Sequence, residues 1–217
     1  HVYPTTWEFD AWMRALKGEE IAKFGPIYHF FRFDDGRMVC APLPHLLVAI
    51  CMRVSWLFGV MIHPLRAGEV VSSLSVAGTA ALFVSMARDA GFVSWGCGAL
   101  DRVVIAASAL ATSALLLSYG AQCMADAAGV FFFVLILRRL RDVPRSRDLG
   151  LVAAIASAAG IWTRYDHWIY WAVLCALLVA TYRRAALRRA PLFLIIPPIF
   201  ASLWLLYNYR FGGSFLY

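Results

Sequence analysis

What most constrains this chain is a succession of long apolar runs, at 44–63, 69–87, 103–119, 121–138, 149–163, 168–182 and 191–208, separated by short segments where arginines collect. As helix, about 20 mostly apolar residues cross the roughly 30 Å of bilayer hydrocarbon. In lipid the backbone must satisfy its own polar groups, which favours helices. Composition agrees. Of the 217 residues 62% are hydrophobic and 15% charged, and the mean hydropathy is +0.69, whereas a soluble domain carries about a quarter charged residues. The expected fold is therefore all-α, a polytopic transmembrane helix bundle in an integral, multi-pass membrane protein.

Orientation follows from lysine and arginine at the ends of spans. The segment "RRLRDVPRSRD" holds Arg138, Arg139, Arg141, Arg145 and Arg147, and "RRAALRR" holds Arg183, Arg184, Arg188 and Arg189. Both are expected to face the cytoplasm. Counting back from them places "RDAGFVSWGCGALDR" inside and everything before residue 69 outside. The run 44–63 then cannot cross. It carries Arg53 mid-run, flanked by His45 and His63 and bracketed by Pro42, Pro44 and Pro64, and a helix lying in the interface tolerates a central arginine better than a spanning one. We therefore expect a juxtamembrane helix there, a first external loop over 1–68, and a bundle of about six spans over 69–217. Two antiparallel hairpins are expected, turning between 119 and 121 and between 163 and 168.

The same counting sends the ionisable residues away from the cytoplasmic loops to the outer face. "TTWEFDAWMRALKG" reads as a short helix over 7–17 with Thr6 as N-cap and Gly18 as stop, and Asp10 and Arg14, four apart, share a face. That pair also fits an ordinary surface ion pair. In "FFRFDDGR" the Asp-Asp-Gly with Arg37 reads as a turn. Asp126 is the single acid between Val103 and Leu137. "GIWTRYDHWIYW" sets Arg164, Asp166 and His167 between two apolar runs, either as a site or as an interfacial turn in a tyrosine and tryptophan belt. "SYGAQCMAD" and "YNYRFGGSFLY" fall on this side too.

Cysteine usage points to no chemistry: Cys40, Cys51, Cys97, Cys123 and Cys175 are scattered and odd in number, with no metal spacing, and read as small packing residues. The net charge of +7 comes from topology-setting arginine loops facing anionic lipid, so no nucleic-acid partner is implied. The sequence begins at His1, no signal peptide is visible in it, and it is expected to be a piece of something longer. No internal repeat, GxGxxG or P-loop is present.

Carboxylates beside arginines at an outer membrane face suit a reaction in which an acid-base group activates an acceptor and a cation stabilises a departing phosphate. Arginine fits because its planar fork engages two phosphate oxygens and stays charged. Here the order of features resembles the GT-C membrane glycosyltransferases: oligosaccharyltransferase catalytic subunits, protein O-mannosyltransferases and lipid A aminoarabinose transferases. "EFDAWMRALKG" is similar to their acidic first external loop, and "APLPHLLVAICMRVSWLFG" to the juxtamembrane Pro-Leu helix ending in Phe-Gly. "LLSYGAQCMADAAGVFFFVLILRRLR" resembles the span carrying their second external acid, and "WTRYDHWIYW" and "WLLYNYRFGGSFLY" resemble short stretches of bacterial and archaeal members. The resemblance covers nearly the whole chain and rests on motif order.

What the resemblance implies is transfer of a sugar, with inversion, from a polyprenyl-phosphate-linked donor to a glycan, lipid or protein acceptor on the non-cytoplasmic face of a bacterial or archaeal plasma membrane or the endoplasmic reticulum. It implies Asp10 as catalytic base or acceptor-orienting carboxylate and Asp126 as the second acid. Arg164 would hold the donor phosphate, with Asp166 and His167 positioning it or the acceptor; Arg14, Arg210 and Asn208 are further substrate-binding candidates. In the metal-using oligosaccharyltransferases a further acid stands two residues after the second one, where this chain has Ala128, so cofactor and divalent metal are left open. The family's first transmembrane span and its C-terminal region are not seen. Two other readings stand beside this one: a transporter or flippase of a lipid-linked or anionic substrate, and a non-catalytic membrane subunit.

Overall fold

In the computed structural model the described residues are 6–25, 42–89, 125–142, 149–164, 166–182, 188 and 190–212. They are all-helical, with no strand among them: α1 (Thr6–Phe24), α2 (Leu43–Leu57), α3 (Pro64–Asp89), α4 (Ala125–Asp142), α5 (Leu149–Ile161), α6 (His167–Tyr182) and α7 (Pro191–Gly212). The expected span at 103–119, the Asp-Asp-Gly turn, and Cys40, Cys97 and Cys123 lie outside the described residues. So do the first expected hairpin turn and most of the two arginine loops. Two compact units form, one from His1–Phe31 and Pro44–Phe131, the other from Arg32–Leu43 and Phe132–Tyr217.

In the first unit α1 does not stop at Gly18 as its sequence suggests. A Cβ there would stand 2.7 Å from Cβ of Val48, so the glycine serves close approach to α2 and the helix runs on. It ends instead at Gly25, whose φ of 89° and N–H bond to the Ile21 carbonyl at 2.8 Å make a left-handed C-terminal cap. Arg53 Nε donates to the Ala22 carbonyl, 2.7 Å away, in the last turn of α1. The arginine in the middle of an apolar run is thus a capping group for another helix. Ala11, Ala15, Ile21 and Ala22 of α1 form a core with Val48, Ala49, Met52 and Ala67.

The run 44–63 is a helix followed by a turn. Gly59 N–H donates to the Trp56 carbonyl (3.0 Å) and Val60 N–H to that of Ser55 (3.0 Å), and Gly59 has φ 71°: the Schellman arrangement that ends a helix. The 15 residues of α2 reach about 22 Å at about 1.5 Å each, short of a crossing. α3 starts at once, with Pro64 in its first position and the Leu65 N–H donating to His63 Nδ1 at 3.3 Å. Two of its hydroxyls turn back onto the helix, Ser75 to the Val71 carbonyl (2.9 Å) and Thr79 to that of Ser75 (2.8 Å), so these two need no outside partner.

The second unit is built around α5 and α7. Alanines 153, 154, 156 and 158 of α5 are buried, and their small side chains let α7 lie close against it. Ile136, Leu140, Leu178, Ala190 and Phe193 complete the core with them. Pro191 opens α7, and Pro197 and Pro198 lie inside it. Proline lacks an N–H, so the carbonyl four residues earlier loses its helical donor. For Pro197 that carbonyl is Phe193, and Trp171 Nε1 of α6 supplies the donor at 2.9 Å. Trp162 Nε1 binds the Phe200 carbonyl at 3.1 Å, with the two rings edge to face.

Only α3 and α7, among the described residues, are long and apolar enough to cross a bilayer, against about six expected spans. α5 and α6, with 13 and 16 residues, extend about 20 and 24 Å, and α4 carries Asp126 and three arginines among its 18 residues. The outward faces are nonetheless apolar. Ile169, Val173 and Leu177 line up along α6, and Ile195, Ile199, Leu203 and Leu206 along α7, all exposed. Such stripes on a soluble monomer would mark an interaction surface.

Candidate functional site

The Arg164, Asp166, His167 group sits where α5 gives way to α6. Gly160 ends the alanine-rich run, and its carbonyl accepts both the Thr163 and Arg164 N–H groups at 2.9 Å. Thr163 is buried and its hydroxyl donates to the Ala159 carbonyl at 2.7 Å. Asp166 begins α6: its carbonyl accepts from Ile169 (3.0 Å) and Tyr170 (3.2 Å). The main-chain N–H of Leu43, a residue of this second unit, donates to the Trp162 carbonyl at 3.0 Å. The turn is therefore held by main-chain bonds on both sides.

On this frame Arg164 Nε lies 3.0 Å from Asp166 Oδ1, both side chains a little over a third exposed. The carboxylate orients the guanidinium plane and offsets part of its charge, so an incoming anion must compete with Asp166 or share the fork. His167 is buried, its ring against Gly160, where a Cβ would collide with it, and edge-on to Tyr170 at 5.5 Å. Tyr170 in turn meets Phe133 at 5.0 Å. Burial lowers the His167 pKa to about 4, against an upward pull from Asp166 and with a smaller downward push from Arg164. The imidazole is neutral at pH 7: a hydrogen-bonding group rather than a cation.

The other candidates are distributed. Asn208 is buried on α7, near the stacked pair Trp204 and Tyr207, and Arg210 is exposed in the last turn of the same helix. Asp126 stands half-buried in the first turn of α4, where the helix N-terminus favours a carboxylate. Asp10 is in the second turn of α1; its side chain lies outside the described residues. Arg14 is buried, only 9% exposed, which removes the reading of an ordinary surface ion pair. The first unit thus holds Asp10, Arg14 and Asp126, and the second holds Arg164, Asp166, His167, Asn208 and Arg210.

Gly160 and Leu43 were not singled out by sequence. A glycine closing an alanine-rich run four residues before an arginine is a turn signal, whereas the Leu43 bond spans more than a hundred residues and leaves no local trace. Among the described residues no three His, Cys, Asp or Glu cluster as a metal site. No family model matches the chain, and neither a curated protein nor a solved structure resembles it significantly.

Proposed function

We propose that the chain belongs to a multi-pass membrane glycosyltransferase that uses a polyprenyl-phosphate-linked sugar on the non-cytoplasmic face. The observation that carries this reading is the turn at 162–167: an oriented guanidinium beside a neutral, buried imidazole, preceding an apolar helix. Arg164 holds the donor phosphate, which competes with Asp166 for the guanidinium, and His167 steadies the turn beneath it. The acceptor hydroxyl or amide attacks the anomeric carbon from the face opposite the phosphate. The bond between that carbon and the phosphate oxygen breaks, polyprenyl phosphate leaves with the electron pair, and the acceptor's proton passes to Asp10 or to water. Asp126 acts as the second acid. The shortness of α2 supports a first external loop lying along the membrane, and the apolar outward stripes of α6 and α7 support lipid around the bundle.

The test is transfer by the full-length protein in lipid vesicles, from a polyprenyl-phosphate hexose, read as release of polyprenyl phosphate. Asp10→Asn is expected to abolish release while expression persists, and Arg164→Ala to raise the donor KM much more than the acceptor KM. Full activity of Asp10→Asn would remove that residue from the mechanism. Equal effects of Arg164→Ala on donor and acceptor would argue against phosphate binding there.

A further inference from the structure

α2 turns one side to the first unit's core, through Pro44, His45, Val48, Ala49 and Met52. Its other side, Ile50 and Val54, is exposed, and exposure peaks where the helix ends: Leu57 is 84% exposed, Phe58 80% and Met61 84%, with Val60 between them. This tip is no frayed end, because the two Schellman bonds at Gly59 and Val60 hold it in one geometry.

Two further observations say what covers it. α3 begins at Pro64, three residues beyond Met61, and is one of the two helices among the described residues long and apolar enough to cross a bilayer, so a tip joined to its first turn lies at the level where the crossing would begin. The stretch from Pro42 to Gly68 holds Arg53 and Arg66 and no acid. Arg66 shares its charge with Glu69 at 2.6 Å, while Arg53, exposed, spends one N–H on Ala22. Apolar side chains fringed by arginine suit the boundary between acyl chains and anionic headgroups.

We infer that the α2–α3 turn is a lipid-inserted tip: Leu57, Phe58, Val60 and Met61 enter the acyl region of an anionic leaflet, with Arg53 and Arg66 at the phosphate level. The inference rests on the membrane reading and deepens it. Because α1 is joined to α2 at Gly18 and through Arg53, the tip also holds the C-terminal half of α1 near the leaflet.

The test places a genetically encoded nitroxide side chain singly at positions 58, 61, 74 and 23 of the full protein, in phosphatidylcholine vesicles with and without phosphatidylglycerol. Collisions with oxygen and with a water-soluble nickel chelate are then compared. Position 74 is an exposed site along α3 and position 23 lies on α1. At 58 and 61 the oxygen-to-nickel ratio is expected to be several-fold higher than at 23 and to rise further with phosphatidylglycerol. Nickel access at 58 and 61 equal to that at 23, with 74 still shielded, would overturn the tip and leave the membrane reading standing. Aqueous behaviour at 74 as well would overturn both. No response to phosphatidylglycerol would overturn the anionic assignment, and dipolar broadening at 58 relieved by unlabelled chain would assign the tip to a second copy instead.

Discussion

The indole N–H of Trp171 lies 2.9 Å from the Phe193 carbonyl, the one carbonyl of α7 that Pro197 leaves without its helical donor. One side chain of α6 therefore completes the main chain of α7. The arrangement explains how Pro197 sits inside an apolar helix, where an unsatisfied carbonyl is costly.

Trp171→Phe keeps most of the ring and loses the donor, and should destabilise the protein by about 1–3 kcal/mol. Trp162→Phe should cost less, about 0.5–1.5 kcal/mol, because the Phe200 carbonyl also has the Trp204 N–H available along the helix. Restoring the missing N–H with Pro197→Ala should shrink the penalty of Trp171→Phe. Thermal unfolding of the parent, the two single variants and the double variant of that cycle reads the coupling. Strict additivity would mean that Trp171 does not serve the proline gap.

Gly160→Ala should be among the more damaging changes in α5. The added methyl meets the buried His167 ring, and overpacking of this kind costs about 1–3 kcal/mol. The ring must move, and the Arg164 and Asp166 turn moves with it. Under the proposed function, donor KM should rise in Gly160→Ala while Gly78→Ala in the other unit, which instead crowds Phe131, leaves donor KM unchanged. Equal KM values in the two variants would separate the turn from donor binding.

His167 gives the turn a pH dependence with a definite sign. Its pKa falls from an ordinary 6.5 to about 4 in the folded chain, so between those values the unfolded chain binds a proton that the folded one refuses. Its contribution is complete above about pH 6.5 and is lost as pH falls through the window to about 4. The midpoint of denaturant unfolding should therefore drop on acidification across that window, and His167→Phe should flatten the drop. An unchanged slope in His167→Phe would show that His167 titrates at its ordinary value.

Sequence punctuation located much of this fold. Pro64, which brackets the run 44–63, opens α3, and the apolar runs led to helices where the structure has them. Gly18 misleads because its role is contact with Val48, and a tertiary partner is invisible to local pattern. Arg53 reads as an interfacial charge, yet its bond reaches 31 residues back to Ala22. Arg164, Asp166 and His167 were legible because neighbours in sequence share one turn. Asp10, Arg14 and Asp126 belong to the other unit, and only order along the chain linked them to that turn. The buried Arg14 was hidden by a helical spacing that fits an exposed ion pair equally well.

Arg53 offers a local test of how α1 and α2 are joined. Its Nε satisfies one carbonyl at the end of α1, beside the cap at Gly25. A hydrogen bond from a charged donor contributes about 1.5–3 kcal/mol where it is shielded, and less here because Arg53 is exposed. Arg53→Ala should loosen the last turn of α1 without unfolding the second unit. Hydrogen exchange at the Phe24 and Gly25 amides should speed up several-fold, with the amides of α5 unaffected, since local opening follows the bonds that hold each element. Arg53→Lys should behave almost like Arg53→Ala, because a flexible ammonium lacks the fixed Nε donor that reaches Ala22. Full protection in Arg53→Lys would show that charge at the end of α1, rather than that bond, holds the turn.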